Sequence, residues 1–227
     1  MHWQDSSLSL LTGNNFEVNP EKQTTVTFEH VSGWSFGDVF MFMDVTEYHD
    51  SDAGKGFYGE LSPRFSLSKL TGKPFELGPV KDFLVATTFE FGKGNVESFM
   101  IGPAVDLTIP GFDFFKLNFY KRFTDNNRDG EVIQISPIWS LSTNFAGSSL
   151  IFDGYIDWNI YDDGSYEDNI HFNPQLKYDV SKRFGYGNKK LLIGIEYSYW
   201  KNKYGVKDSS SFDTNQSATS FILKTHF

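Results

Sequence analysis

The sequence predicts an all-β chain: a transmembrane up-and-down antiparallel β-barrel of about twelve strands. Three observations carry this reading. Period-two alternation recurs along the whole length, broken by Gly, Asn, Asp and Pro clusters, while helical periodicity is poor. The composition is aromatic-rich and aliphatic-poor: of 227 residues 18% are aromatic, with 24 Phe and 11 Tyr, yet only 39% are hydrophobic. That mix is unusual for a soluble core and ordinary for a membrane barrel with aromatic girdles and a polar interior. Finally, the connections alternate in character, one set rich in Asp, Asn and Ser, the other less acidic and richer in Lys and Arg, as two different rims require.

Taken in order, Leu8-Ser9-Leu10 opens the pattern, and Val26-Thr27-Phe28-Glu29 follows a polar break at Gly13-Asn14-Asn15. Between Asp38 and Glu47, Val39, Met41, Met43 and Val45 alternate with Asp38, Phe40, Phe42 and Asp44. From Phe57 to Leu67, Gly59, Leu61, Pro63, Phe65 and Leu67 share one face, and Tyr58, Glu60, Ser62, Arg64 and Ser66 the other. Further strands are expected near 80–92, 96–109, 112–123, 131–142, 148–160, 169–180, 189–200 and 217–227. Several have one apolar and one polar face: Phe115, Leu117 and Phe119 oppose Lys116, Asn118 and Tyr120, and Ile170, Phe172, Leu176 and Tyr178 oppose His171, Asn173, Gln175 and Lys177. Alternation alone fits a soluble sandwich or a lipocalin-like barrel too, but such a fold would put Phe40 and Phe42 in water.

The acidic connections are 13–23, 48–56, 124–130, 161–168 and 204–216; the others are 32–37, 70–79, 110–112, 143–148 and 181–190, with 91–96 a short loop on the acidic side. Trp34, Tyr48, Tyr120, Trp158, Tyr199 and Trp200 fall near strand ends, where an interfacial girdle wants them. The chain ends in Phe227, with Phe221 and Leu223 on the same face, which resembles the C-terminal signal that hands outer-membrane barrels to their assembly machinery. No stretch approaches the ~18 consecutive apolar residues of a membrane helix. Met1-His-Trp-Gln-Asp carries neither a charged n-region nor an apolar h-region, so a mature form without its signal peptide is expected. No linker or strong repeat interrupts the pattern, and residues 1–227 are expected to form a single barrel domain.

The remaining features narrow the function. With 20 basic and 29 acidic residues the net charge is −9, which disfavours a nucleic-acid partner. Absence of cysteine excludes disulfides, thiolate metal sites and Cys nucleophiles. Five scattered histidines show no metal-ligand spacing, and no cofactor is expected. Asp125-x-Asn127-x-Asp129-Gly130 copies the opening of a calcium loop, but Ser136 stands where the closing Glu belongs, so it reads as an acidic surface loop. Neither a G-x-S-x-G elbow nor a glycine-rich phosphate loop is present, and the chain is read as a non-enzyme. An outer-membrane hydrolase stays open as an alternative and would need Ser, His and acid gathered at one rim.

The informative constellation is the polar face of the early strands. If Val39, Met41, Met43 and Val45 meet lipid, then Asp38, Phe40, Phe42 and Asp44 line a lumen together with Glu29, Tyr58, Glu60 and Arg64. Rings facing a lumen suit a flat amphipathic solute, since base–aromatic stacking is worth roughly 1–3 kcal/mol. Carboxylates accept hydrogen bonds from hydroxyls and amines and repel phosphates. The same residues could instead fill and cross-brace a small barrel; the two readings are compatible.

The block Tyr58-Gly-Glu-Leu-Ser-Pro-Arg-Phe-Ser-Leu-Ser-Lys-Leu-Thr71, followed by Gly78-Pro-Val-Lys-Asp-Phe83, resembles the nucleoside-specific outer-membrane channel family (Tsx-like). The likeness is strongest over roughly residues 24–95 and collinear to the end. It implies a twelve-stranded monomeric barrel in the bacterial outer membrane, in contact with lipid and lipopolysaccharide, for passive and selective diffusion of nucleosides and deoxynucleosides. It implies nucleoside contacts at Asp38, Phe40, Phe42, Asp44, Glu60 and Arg64, with Phe16 a looser match because the first loop differs in length. It also implies possible service as a phage or colicin receptor, which the shorter outer loops here put in doubt. A receptor or adhesion barrel with a plugged lumen is the alternative from another class, and deletion of the Tyr204–Gln216 loop would separate the two.

Overall fold

A computed structural model describes residues 1–94, 96–124, 131–161, 166–207 and 209–227. The calcium-loop-like segment 125–130 lies outside the described residues. Among them, twelve strands run β1 (Trp3–Asn14), β2 (Lys22–Gly33), β3 (Gly37–His49), β4 (Lys55–Ser66), β5 (Val80–Gly92), β6 (Val96–Leu107), β7 (Phe114–Thr124), β8 (Val132–Phe145), β9 (Ser148–Tyr161), β10 (Asn169–Asp179), β11 (Leu191–Lys201) and β12 (Gln216–His226). Every strand pairs antiparallel with its sequence neighbours, and β1 pairs with β12, from Ser7 opposite His226 to Asn14 opposite Thr219, which closes the barrel. Closure leaves no unpaired edge, the condition for sheet to cross a bilayer.

The alternation reads directly into this geometry. Odd positions of β1 and even positions of β3 and β4 face the lumen; Ser7 stands opposite Glu29, Glu29 opposite Phe42 and Phe42 opposite Glu60. The outer face carries exposed Leu8, Leu10, Val26, Met43, Val45, Leu61, Phe89, Phe99, Ile133, Ile195 and Phe221. The inner face carries buried Ser7, Ser9, Arg64, Thr88, Glu90, Asn118, Gln134, Asn173, Lys177 and Lys224. This inversion of a soluble protein, apolar outside and polar within, is what burial in lipid selects. One apolar cluster sits inside, where Leu84, Ala86, Met100, Ala104 and Tyr120 fill the wall of β5–β7. Gly102 lets the backbones close there, since a Cβ would lie 1.9 Å from the Phe119 carbonyl oxygen.

Both chain ends lie at one rim, here the terminal rim. Its turns are tight in places. Ala146 and Gly147, with φ of 46° and 82°, make a two-residue hairpin between β8 and β9, the left-handed pair that matches strand twist. The connection expected over 143–148 is therefore mostly strand. Beyond β4 the chain enters a one-turn helix, α1 (Leu67–Thr71), which alternation does not announce. The Ser66 hydroxyl caps it by accepting from Lys69 N at 3.0 Å, and Gly72 ends it in the left-handed conformation.

Tyr48, Tyr120 and Trp200, expected in an interfacial girdle, share the lumen-facing parity of β3, β7 and β11 instead. Their strand-end positions suited a girdle; pairing register decides the face. Trp158 and Tyr199 do lie on the outer face near the opposite rim.

Candidate functional site: a braced and aromatic lumen

The lumen divides into two halves. Near the terminal rim, Arg64 of β4 forks between two carboxylates: Nη2 donates to Asp38 Oδ2 at 2.8 Å, Nε to Asp38 Oδ1 at 3.1 Å, and Nη1 to Asp106 Oδ1 at 2.8 Å. Lys116 Nζ reaches Asp38 at 3.3 Å. Arg64 is only 3% exposed, so these bonds act where water competes weakly. Opposite, Lys177 Nζ donates to both oxygens of Asp153, at 2.7 and 2.9 Å, and Lys224 Nζ binds Glu29, which also accepts from Ser7 Oγ at 3.1 Å. Each buried cation in this half therefore has a carboxylate partner.

From mid-lumen toward the opposite rim the wall is built differently. Phe40, Phe42 and Tyr58 form a ladder of rings on β3 and β4, with centroids 6.0 and 5.7 Å apart. Carboxylates flank it. Asp44 accepts from Thr27 Oγ1 at 2.6 Å, and Tyr58 Oη lies 2.7 Å from Glu60 and 2.9 Å from Glu90. Arg122 of β7 binds Glu90 and donates to Gln134 Oε1 at 3.0 Å. Gln134 and Ser136 in turn donate to Asp157, at 3.0 and 2.6 Å. Glu196 accepts from Gln175 at 2.7 Å. Asp44, Glu60, Asp157 and Glu196 thus have neutral hydrogen-bond partners, and Arg122 is the guanidinium among them. The far wall carries a second ring set, with His171 stacked on Trp200 at 4.0 Å and Tyr155 edge-on to His171 at 5.2 Å. Among the described residues, no group of His, Asp and Glu side chains is arranged to hold a metal ion.

The residues singled out from sequence fall as follows. Asp38 and Arg64 meet each other in the braced half, and Glu29 joins Lys224 there. Phe40, Phe42, Asp44, Tyr58 and Glu60 come together on the β3–β4 wall. Phe16 lies apart, in the β1–β2 connection, where its N donates to the Glu21 carbonyl at 3.2 Å. Sequence reasoning missed Glu90, Asp106, Arg122, Asp157, Glu196 and Trp200. Their polar-face parity on β5–β11 was the available signal; contact across the lumen was not.

At the opposite rim the β11–β12 connection holds a short 3-10 turn, Lys203–Gly205, with Lys203 and Gly205 buried and the Tyr204 ring packed against lumen-facing Trp200. At the terminal rim a cavity of about 350 Å³ opens over Asp153, Lys177 and Lys224, with Asp5, Lys189, Lys190 and His226 around its lip.

Comparison with known proteins agrees with this architecture. The family model described as "Nucleoside-specific channel-forming protein, Tsx" matches residues 1–226. Outer membrane protein OmpK of Vibrio parahaemolyticus is 30% identical over 187 residues, spanning 78% of this chain and 68% of that protein. The nucleoside-specific channel-forming protein Tsx of Klebsiella pneumoniae is 22% identical over 227 residues, spanning 87% and 74%. Among solved structures, the KdgM porin superposes with a TM-score of 0.52 at 9% identity, covering 97% of this chain and 99% of that one, a likeness of fold alone. The chain belongs to the Tsx family of channel-forming β-barrels of the bacterial outer membrane.

Proposed function

We propose that this barrel is a selective diffusion channel for nucleosides and deoxynucleosides. One observation carries the reading: the Phe40–Phe42–Tyr58 ladder faces the lumen beside Asp44 and Glu60. Phenylalanine rings turned toward a polar channel gain nothing from water, but they offer a base a face to stack on at ~1–3 kcal/mol each. Asp44 and Glu60 supply acceptors for sugar hydroxyls and exocyclic amines, and the net-acidic lining disfavours phosphorylated solutes. Each contact is modest, as release requires. Asp38, Arg64 and Glu29 shape this path by bracing the wall; Phe16 meets solutes at the entrance. The chain acts as one barrel unit and a monomer, without catalysis, its outer wall in lipid and lipopolysaccharide. Phe227 presents it to the assembly machinery, and the connections of the opposite rim are the surface open to phage or colicin.

The test is single-channel conductance in planar bilayers, titrated with adenosine, thymidine and uridine, with AMP and glucose as controls. Saturable block by nucleosides alone is expected. Phe40→Ala with Phe42→Ala should weaken that block about tenfold or more while small-ion conductance persists. Equal block of both proteins would remove the stacking role, and no block of either would leave a general diffusion pore.

A further inference from the structure

The connection from β11 to β12 is built as a lid. Its turn buries Lys203 to 3% exposure, and Gly205 with it. The Tyr204 ring lies 5.5 Å from Trp200, which faces the lumen and stacks on His171. The turn therefore roofs the β10–β12 side of the mouth.

Bonds to neighbouring connections pin it. Lys203 Nζ donates to the Glu17 carbonyl at 2.9 Å, Asn19 Nδ2 to Tyr204 Oη at 3.0 Å, Glu167 N to the Gly205 carbonyl at 2.9 Å, and Asn202 Nδ2 to the Asp168 carbonyl at 2.9 Å. Against these, Asn202 and Tyr204 hold φ of 50° and 60°, the left-handed region that side-chain-bearing residues disfavour. A strained turn held by specific bonds can be released when one of them weakens.

The weak point is the lysine. Its two acceptors, the Glu17 carbonyl and Gln216 Oε1 (2.5 Å), are both neutral. No described carboxylate lies within ion-pair distance of it. Of the charged groups around it, the Glu17 side chain acts only from further off. Glu167 is engaged by Lys207 at 3.4 Å, the Asp168 carboxylate accepts from Tyr161 N, and Asp213 accepts from Asn215 N. From β10, His171 faces it and is bonded to Ser198 and Tyr155. Among the described residues, an ammonium here is desolvated without a counter-ion at ion-pair distance.

We infer that the Lys203–Gly205 turn is a proton-operated lid, seated while Lys203 is neutral and released when Lys203 is charged. Burial agrees, holding this amine down to about 7 from its ordinary 10.5. A lifted lid would return it to water and to the ordinary value. Between these two values the lifted state binds the extra proton. The seated state is therefore fully favoured above about 10.5 and loses ground as pH falls, by up to about tenfold per unit, until about 7; below that both states are charged and the shift saturates. This does not rest on nucleoside selectivity, because ion current alone reads it.

The experiment is single-channel recording of the full barrel in planar bilayers from about pH 6 to about pH 10, for the wild type and Lys203→Met. The wild type should spend less time fully open as pH rises above about 7, and Lys203→Met should lose that dependence, whichever state it favours. A flat wild-type profile, or an unchanged profile in Lys203→Met, overturns the inference. Hydrogen exchange on the wild type needs no variant. Protection of amides 202–206, corrected for intrinsic exchange and referred to β12, should fall between about pH 9 and about pH 7; a constant ratio overturns the lid.

Discussion

The two halves of the lumen use the same residue types for opposite ends. Near the terminal rim, Arg64, Lys116, Lys177 and Lys224 are matched by Asp38, Asp106, Asp153 and Glu29, and the side chains cross-brace the wall. Toward the other rim, Asp44, Glu60, Asp157 and Glu196 rest on Thr, Tyr, Ser and Gln donors beside half-buried rings. A matched pair holds its partner and has little left for a solute. A carboxyl group on neutral donors keeps lone pairs for whatever passes. The difference teaches that cations and carboxylates are matched in one part of the lumen while another leaves most carboxylates on neutral donors, Glu90 with Arg122 being the exception there.

The sharpest way to break that contrast is Arg64→Met. It removes the cation bonded to Asp106 and leaves Asp38 with Lys116 alone, and unfolding by denaturant in detergent should show a loss of about 3–5 kcal/mol. Loss below about 1 kcal/mol would mean water already screens the pair. Lys177→Met, which removes the cation bonded to Asp153, should cost less but still register in the same assay, because Asp153 is partly open to the terminal-rim cavity. Asp157→Asn belongs to the other half: stability should change by less than about 1 kcal/mol, while reversal potentials in a salt gradient shift toward anions. Unchanged selectivity would show that this carboxylate does not act on the permeation path. At the small end, Lys22→Ala removes an exposed pair with Asp50 (2.7 Å) and should leave the unfolding midpoint where it is.

Much of this was legible in advance, and the reasons are particular. The stretch 38–45 declares its two faces because the period of two sets Asp38 and Asp44, and with them Phe40 and Phe42, against Val39, Met41, Met43 and Val45. The strands near 80–92 and 148–160 were found almost to the residue for the same reason. Helix α1 was not, since its five residues are too few for a helical period to show; a hydroxyl cap and Gly72, rather than the apolar pattern, turn it into a helix. Of the site, Phe40, Phe42, Asp44, Tyr58 and Glu60 were visible because neighbouring strands in sequence are neighbours in space. Glu90, Arg122 and Asp157 were not, because their meeting depends on which residues stand level after β5 to β9 have each been set in register.

By itself, then, the sequence determined the closed β architecture, its membrane setting and the polarity of each strand face, because those follow from local alternation and composition. Tertiary structure alone decided which carboxylate receives a cation, which Tyr and Trp turn inward, and that Lys203 is buried over the mouth. Those outcomes hang on strand register and on a loop folding back on two others. Register and long-range loop contacts are sums over many distant pairs, and no local window of sequence contains them.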